Sequence, residues 1–343
     1  MHTRALIGHD ALLARLGDAT DRDGLHHAML FEGPPGVGKH TIALHIARSA
    51  NCLHDDPAER PCDACRSCTS IASGAHPDVM VVEPDVKQAS GKIPIDTIRE
   101  VVRKAQYHRY GSRRRFIVID PTEAMAAPAA NALLKTLEEP PDGTGFILIA
   151  TTPKALLPTI ISRCQRVRFG PVPHEALTGW LASRGVADAE QIATASMGCP
   201  GVAVDLAGGT LVDRHAVRDQ VIAVLEGDLD GLFKYTQKLA SGNRASWRKK
   251  AEALFEVLEE LLRDAAVVAT GSTTPLVNSD IQDVVQRYAA VLWPGGVERC
   301  QRALMDARLD LERMVSGRTA LDALLCTIRE ELGMPSSPSI ASS

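Results

Sequence analysis

Aromatic residues are scarce in this sequence, and their scarcity limits the kind of hydrophobic core that the chain can form. Only 4% of the 343 residues are Phe, Trp or Tyr, whereas 45% are hydrophobic and 23% are charged. These hydrophobic and charged fractions are ordinary for a globular protein. Because the core must consist mainly of Ala, Leu, Val and Ile, the composition favours helices, and the length allows two or three domains.

Two further features are missing: an excess of positive charge and a long apolar run. The formal net charge is −4, so any contact with nucleic acid requires a local basic patch. No apolar run in the sequence approaches the roughly 18 residues of a membrane-spanning helix. The first 16 residues contain neither the apolar segment nor the small-residue cleavage site of a signal peptide. We therefore predict a cytoplasmic protein without a membrane partner.

Short apolar runs alternate with helical patterns in the first half of the chain. Strand-like runs occupy residues 28–33, 78–84, 115–120, 145–152 and 166–172, and helical patterns occupy residues 93–107 and 129–139. This alternation predicts an α/β fold with a parallel sheet. After Pro171 the pattern changes to short helices, and from about residue 213 it is almost entirely helical, apart from a linker at 271–280.

The change of pattern predicts three domains and a tail. Residues 1–170 are predicted to form the α/β domain, residues 171–212 a small helical domain and residues 213–333 a larger helical domain. The last residues, 334–343, are polar and rich in Ser and Pro, which predicts a disordered tail.

A glycine-rich loop follows the first predicted strand and precedes a predicted helix. Its sequence GPPGVGK fits the motif G-x-x-x-x-G-K, with Gly33, Gly36, Gly38 and Lys39 at the defining positions. In such a loop the backbone N–H groups converge on phosphate oxygens, and Lys39 would reach the β- and γ-phosphates of a nucleotide. A chance glycine-rich turn is the alternative, which the strand–loop–helix context disfavours.

The positions that would hold magnesium and activate water depart from this motif. His40 stands where a Ser or Thr hydroxyl normally binds Mg²⁺, and Thr41 lies one residue later, about 100° around the helix. The third predicted strand ends in Asp120, the usual metal-binding carboxylate, but Pro121 replaces the Glu that activates water. Glu123, in the following turn, is expected to point elsewhere. We predict a degenerate nucleotide site with impaired hydrolysis, unless another residue supplies the base.

Four cysteines form an insert between the loop helix and the second predicted strand. Cys52, Cys62, Cys65 and Cys68 have the spacing C-x9-C-x2-C-x2-C, which matches tetrahedral zinc–thiolate coordination. The insert, residues 52–68, has little core of its own, so that a metal would stabilise it. All four ligands are thiolates and no position is open, which predicts a structural zinc. An iron–sulfur cluster and a redox-active pair are the alternatives.

Several motifs occur in one order along the chain. After the glycine-rich loop and the cysteine insert come AANALLKTLEEPP (129–141), ATT (150–152) and Ser162-Arg163-Cys164. This order resembles the clamp-loader branch of the AAA+ ATPases over about residues 5–210, and beyond them only helical character and length agree. The resemblance implies a P-loop AAA+ domain with a zinc insert, a small helical lid and an all-α C-terminal collar domain.

The resemblance also implies roles for particular residues. Ile7-Gly8 resembles the segment that packs near the adenine, and Thr151 lies where the family has a polar sensor. Arg163 resembles the arginine finger, which reaches into the ATP site of a neighbouring subunit and stabilises charge on the γ-phosphate. An ordinary surface arginine is the alternative. The lid segment 198–202 (GCPGV) lacks the second sensor arginine that the family is expected to carry.

The three departures indicate which kind of clamp-loader subunit the chain resembles. The ATP-hydrolysing tau and gamma subunits are expected to keep the hydroxyl ligand, the Asp–Glu pair and the lid arginine, whereas this chain keeps none of the three. The resemblance therefore implies a hydrolysis-deficient subunit that donates Arg163 in trans, and it argues against ATP–Mg as a cofactor at the chain's own site.

The implied partners are the tau/gamma and delta subunits, the sliding clamp and primed DNA. The assembly serves a DNA-directed DNA polymerase, a nucleotidyltransferase, but we find no polymerase site in this sequence. Two other functions remain open: an active ATPase of the tau/gamma type, and a non-replicative module that binds zinc and nucleic acid.

Overall fold

A computed structural model of the chain describes residues 6–21, 24–84, 91–241, 244–292, 294–312 and 316–334. The chain packs into two compact units. The first unit consists of residues 1–189 and 196–204, and the second of residues 190–195 and 205–343. The domain limits at 170 and 212 stay predictions, and the tail predicted from residue 334 lies, after Met334, outside the described residues.

The first unit contains a five-stranded sheet in which every neighbouring pair is parallel. Its strands are β1 (Ala28–Glu32), β2 (Val79–Val82), β3 (Arg115–Ile119), β4 (Thr144–Ala150) and β5 (Gln165–Arg168), in the spatial order β2-β3-β4-β1-β5. Each lies at a predicted strand. The strands β1, β3 and β4 are buried along their whole length, which explains their unbroken apolar runs, since helices cover both faces of such sheets.

Helices cover the two faces of this sheet. One face is covered by α1 (Asp10–Asp21), α2 (Lys39–Asn51) and α3 (Arg66–Ala72), and the other by α4 (Ile95–Ala105), α5 (Ala127–Glu138) and α6 (Pro158–Ile161). After the sheet come the helices α7 (His174–Ala182), α8 (Ala189–Ala195) and α9 (Pro200–Asp205). Successive strand residues face opposite sides, so Leu30 packs in the cluster with Ile98 and Leu133, whereas Phe31 packs with Ile42. The predicted α/β fold class is confirmed.

In the second unit, the regular secondary structure of the described residues consists of helices alone. After the end of α8 and a π-helical turn (Leu206–Thr210) it contains α10 (Leu211–Glu226), α11 (Leu229–Leu239), α12 (Arg244–Ala269), α13 (Gln282–Leu292), α14 (Gly295–Glu312) and α15 (Gly317–Glu331). One hydrophobic cluster joins these helices, through residues such as Leu225, Leu232, Phe255, Tyr288, Leu304 and Leu324. None of the helices among the described residues is long and apolar enough to cross a membrane.

A buried carboxylate fixes the linker between α12 and α13. Asp264 has no exposed surface, and its side chain accepts hydrogen bonds from the backbone N–H groups of Val277 (3.1 Å) and Asn278 (2.8 Å). The side-chain amide of Asn278 donates a third bond, of 2.9 Å. Buried backbone N–H groups require hydrogen-bond acceptors, which backbone carbonyl groups provide within a helix. For the linker, the carboxylate of Asp264 provides these acceptors.

The parallel sheet brings several loops to one edge. Because all strands run in the same direction, Gly33 after β1, Glu83 after β2, Asp120 after β3 and Thr151 after β4 leave the sheet at its carboxyl edge. Ligands of open α/β sheets bind in the crevice at this edge. The fold thus places the glycine-rich loop and the acidic strand end together.

Candidate nucleotide-binding and zinc-binding sites

The glycine-rich loop between β1 and α2 requires its glycines. Gly33, Gly36 and Gly38 have φ angles of 156°, 74° and 106°, which residues with a side chain rarely adopt. A Cβ atom at Gly33 would also lie 2.4 Å from the carbonyl oxygen of Phe169. The loop therefore has the backbone and the strand–loop–helix setting of a phosphate-binding loop, while nucleotide binding itself stays a prediction.

The loop lysine is turned back onto its own loop. Lys39 is 6% exposed, and its Nζ atom donates hydrogen bonds to the carbonyl oxygens of Gly33 (2.6 Å) and Pro34 (2.7 Å). Burial lowers the pKa of Lys39, and the carboxylates of Asp120 and Glu123 partly oppose this shift. A phosphate group would have to compete with two carbonyl oxygens for this ammonium group.

The position of the magnesium ligand is taken by an imidazole that contacts the acidic strand end. The Nδ1 atom of His40 lies 2.8 Å from Oδ2 of Asp120, and Thr41 follows half-buried on α2. Magnesium prefers hard oxygen ligands in octahedral geometry, and an imidazole nitrogen is a poor substitute. The side chains at this position therefore do not fit the magnesium–nucleotide complex that the motif normally holds.

The acidic residue of the next turn connects two loops of the site. One carboxylate oxygen of Glu123 accepts hydrogen bonds from the backbone N–H groups of Thr151 and Thr152, each at 2.5 Å. Glu123 thereby fixes the segment after β4, where the polar sensor was predicted. Sequence reasoning assigned Glu123 no role, because a contact between the turns after β3 and β4 depends on strand order.

A short helix of the first unit contacts the glycine-rich loop through its backbone. The N–H group of Gly201, at the start of α9, donates a 2.7 Å hydrogen bond to the carbonyl oxygen of Gly36. A Cβ atom at Gly201 would lie 2.9 Å from the Cα atom of Gly36, so that only glycine permits this approach. The lid segment 198–202 thus touches the loop with backbone atoms, and it carries no arginine there.

The four cysteines of the insert converge as predicted. The sulfur atoms of the four cysteines all lie within 4.8 Å of one another (Cys52, Cys62, Cys65 and Cys68). Tetrahedral zinc with bonds of about 2.3 Å separates its sulfur ligands by about 3.8 Å, so the cluster fits a zinc ion. Backbone N–H groups donate to three of the sulfur atoms at 3.3–3.5 Å, which favours thiolates and orients them. The cluster is thus compatible with structural zinc.

Hydrogen bonds within the insert also lower the pKa of one cysteine thiol. Burial acts to raise the pKa of Cys65, but hydrogen bonds with the backbone of Cys68 and Leu53 and with the side chains of Cys68 and Cys62 together lower it to about 6. Burial raises the pKa of Cys68. Arg48 on α2 forms an ion pair with Asp63, which attaches the insert to the loop helix.

The arginine of the Ser-Arg-Cys motif is held at the surface by the end of α5. Nε of Arg163 donates a 2.7 Å hydrogen bond to Oε1 of Glu138, and one terminal nitrogen binds the same oxygen. The other terminal nitrogen donates to the carbonyl oxygen of Thr159 at 2.8 Å. The side chain remains 31% exposed, so that its guanidinium group is oriented but accessible.

Sequence reasoning missed two acidic residues: Glu83, at the carboxyl edge of the sheet, and Glu138, at the end of α5. Glu83 follows β2 as Asp120 follows β3, and this shared position after neighbouring strands was the signal that could have found it. Glu138 stands at the end of the motif segment 129–141, but its pairing with Arg163 joins residues 25 positions apart. The contact between Glu138 and Arg163 does not follow from helical or strand periodicity.

An open parallel sheet with a phosphate-type loop at its carboxyl edge and a cysteine insert beside the loop helix defines a P-loop α/β protein. A family model described as DNA polymerase III, delta subunit, matches residues 8–173. The DNA polymerase III subunit delta' of Escherichia coli (strain K12) is 30% identical over 294 residues, which cover 85% of this chain and 84% of that protein. The chain belongs to the delta' subunit family of DNA polymerase III.

Relatives of another subunit type match as well. The DNA polymerase III subunit tau of Bacillus subtilis (strain 168) is 34% identical over 269 residues, or 75% of this chain. The chain spans only 46% of the length of that relative. Among solved structures, a gamma subunit-related protein of Thermotoga maritima is 19% identical, with 93% of this chain and 99% of that chain covered and a TM-score of 0.47.

Proposed function

We propose that this chain is a clamp-loader subunit that donates Arg163 to the ATP site of a neighbouring tau/gamma-type subunit. Its partners would be tau/gamma and delta subunits, the sliding clamp and primed DNA, and its place would be the cytoplasm. The observation that carries the proposal is the state of Arg163, which is accessible at the surface and oriented by Glu138 and the carbonyl of Thr159. A finger that acts in another subunit requires both properties.

The chemistry of Arg163 suits this role. A guanidinium group stays charged at any physiological pH and presents several donors in a fixed plane, which matches phosphate oxygens. Placed against a neighbour's γ-phosphate, it would stabilise the charge that develops during hydrolysis, an effect of about 10³–10⁵ on the rate for arginine fingers. The partly exposed pair with Glu138 contributes little to stability and serves to orient the guanidinium group.

The chain's own loop supports a passive role in hydrolysis. Lys39 is bonded to loop carbonyls, His40 is bonded to Asp120, and Pro121 offers no base. A site that lacks the hydroxyl ligand and the base has lost the groups that hold the metal and orient water. We therefore assign this subunit the task of completing another site.

Reconstitution tests the proposal. With tau/gamma, delta, the sliding clamp and primed DNA present, Arg163→Ala should lower hydrolysis at the affected site by about 10³–10⁵-fold, and the total rate should fall to what the other sites supply. Size-exclusion chromatography should show an intact complex. Arg168→Ala, at an exposed arginine on β5, serves as the matched control and should leave the rate unchanged.

Two results would count against this function. If Arg163→Ala hydrolyses ATP at the wild-type rate in the assembled complex, the finger assignment is wrong. If the purified chain alone hydrolyses ATP and Lys39→Ala abolishes that activity, the chain is an active ATPase of the tau/gamma type.

A further inference from the structure

Three side chains with metal-binding atoms meet at the carboxyl edge of the sheet. Glu83 follows β2, Asp120 follows β3 and His40 lies in the first turn of α2. One ligand atom of each lies within 4.8 Å of the other two. Because β2 and β3 are neighbours with Val82 opposite Ile119, the two carboxylates leave the sheet side by side.

We propose that His40, Glu83 and Asp120 bind a divalent first-row transition cation, such as Zn²⁺ or Mn²⁺, without nucleotide. This site is separate from the cysteine centre, and it differs in ion from the magnesium site of the P-loop motif. The proposal does not depend on the role of Arg163.

The distances suit a cation with little rearrangement. Nδ1 of His40 lies 2.8 Å from Oδ2 of Asp120. Two ligands at about 2.1 Å from one cation, at right angles to each other, are separated by about 3 Å. A shift of a few tenths of an ångström therefore converts this contact into two coordination bonds, with the cation in place of the shared proton.

The ligand types determine which cation binds. Carboxylate oxygens accept many divalent ions, but imidazole favours zinc and other transition metals over magnesium. In the phosphate-loop motif the residue after the lysine is a hydroxyl ligand, and the replacement by His40 changes the preferred ion at the same position. The identity of one residue thus converts a hard oxygen site into a mixed nitrogen–oxygen site.

The charge and accessibility of the cluster also favour a cation. Two carboxylates give it a formal charge of about −2 at neutral pH, whereas the loop ammonium of Lys39 is directed to the carbonyls of Gly33 and Pro34. Glu83 is exposed, and the side chains of His40 and Asp120 are 36% and 23% exposed. A cation can therefore enter from solvent and keep water in its open positions.

Manganese binding to the zinc-loaded full-length chain tests the site. Thiolates retain zinc in preference to manganese, so that added Mn²⁺ reports on the second site alone. Electron paramagnetic resonance measures the free Mn²⁺, and its loss on titration should correspond to one bound ion per chain. Zn²⁺ should displace this ion at a lower concentration than Mg²⁺ does. His40→Ala and Glu83→Gln should each weaken Mn²⁺ binding at least about tenfold. Even changes to the residues that support metal ligands lower metal affinity by about 10–100-fold.

Controls separate this site from loose binding to surface carboxylates. His108→Ala and Glu175→Gln alter exposed residues of the same types and should leave Mn²⁺ affinity unchanged. His40→Thr restores the usual hydroxyl and should weaken Zn²⁺ binding more than Mg²⁺ binding. For all of these variants, the circular dichroism spectrum and the zinc content should match those of the wild type. The proposal is overturned if no Mn²⁺ binds, or if binding is the same with His40 replaced by Ala.

Discussion

At the scale of single residues, Glu138 is the residue that orients Arg163. Glu138 lies in the last turn of the helix α5, and its carboxylate accepts hydrogen bonds from two nitrogen atoms of the guanidinium group. Both side chains are partly exposed, so that the pair adds little to stability. For the proposed role of Arg163 in a neighbour's site, the pair matters through the direction it gives the guanidinium group, because such a group must be held close to its productive geometry before the reaction.

We expect Glu138→Ala to lower the ATPase rate of the reconstituted complex, by less than Arg163→Ala does. The arginine remains present and charged, but it samples more orientations. The double variant should be no slower than Arg163→Ala alone, since Glu138 acts through Arg163. Steady-state hydrolysis with primed DNA measures these rates, and Glu139→Ala, at the exposed neighbouring position, is the control. Additive losses would show that Glu138 acts independently.

The sequence could identify motifs in which particular residue types stand at a fixed spacing. The four cysteines meet as their spacing predicts, and the loop glycines adopt the left-handed angles that the motif requires. Contacts between separate segments were out of reach. Arg115, for example, lies in a run of arginines, yet it is 3% exposed and forms an ion pair with the buried Asp78. Only the sheet, which places β2 beside β3, brings these two residues together.

At the scale of secondary-structure elements, periodicity predicted the positions of the strands. Unbroken apolar runs mark β1, β3 and β4 because both faces of the sheet are covered. The linker at 271–280 was recognised as a break between helices, but its attachment was not. Asp264 holds that linker from inside α12, and a single acidic residue in a helical pattern gives no sign of such a role.

Asp264→Ala should therefore destabilise the second unit. The change leaves the buried N–H groups of Val277 and Asn278 without their acceptor, which we expect to cost roughly 2–4 kcal/mol. Hydrogen exchange of these two amides should accelerate, and the midpoint of urea unfolding should fall. Asp283→Ala removes a carboxylate that is 78% exposed, so unfolding of that variant should remain close to the wild type. Equal behaviour of the two variants would refute the assigned role of Asp264.

At the scale of the whole molecule, the P-loop α/β fold is retained, while His40 and Pro121 stand at the positions that the motif gives to a hydroxyl ligand and a base. The sequence alone located the loop and the acidic strand end, because each depends on a local motif. It could not show that His40 contacts Asp120, since this contact joins residues 80 positions apart. The helix α2 connects the two candidate metal centres, with His40 in its first turn and Cys52 directly after its end.

Because α2 connects the two centres, removal of zinc tests whether the cysteine centre stabilises the first unit. Metal analysis should find about one zinc ion per chain, apart from any cation at His40. Cys65→Ser should abolish that zinc and lower the unfolding temperature by several degrees, because the metal joins four separate positions of the insert. Cys326→Ser, at a cysteine outside the cluster, should retain zinc. Lowering the pH should release zinc as the thiolates take up protons. A metal-free wild-type chain with the same stability as the zinc-loaded chain would exclude a structural role for the centre.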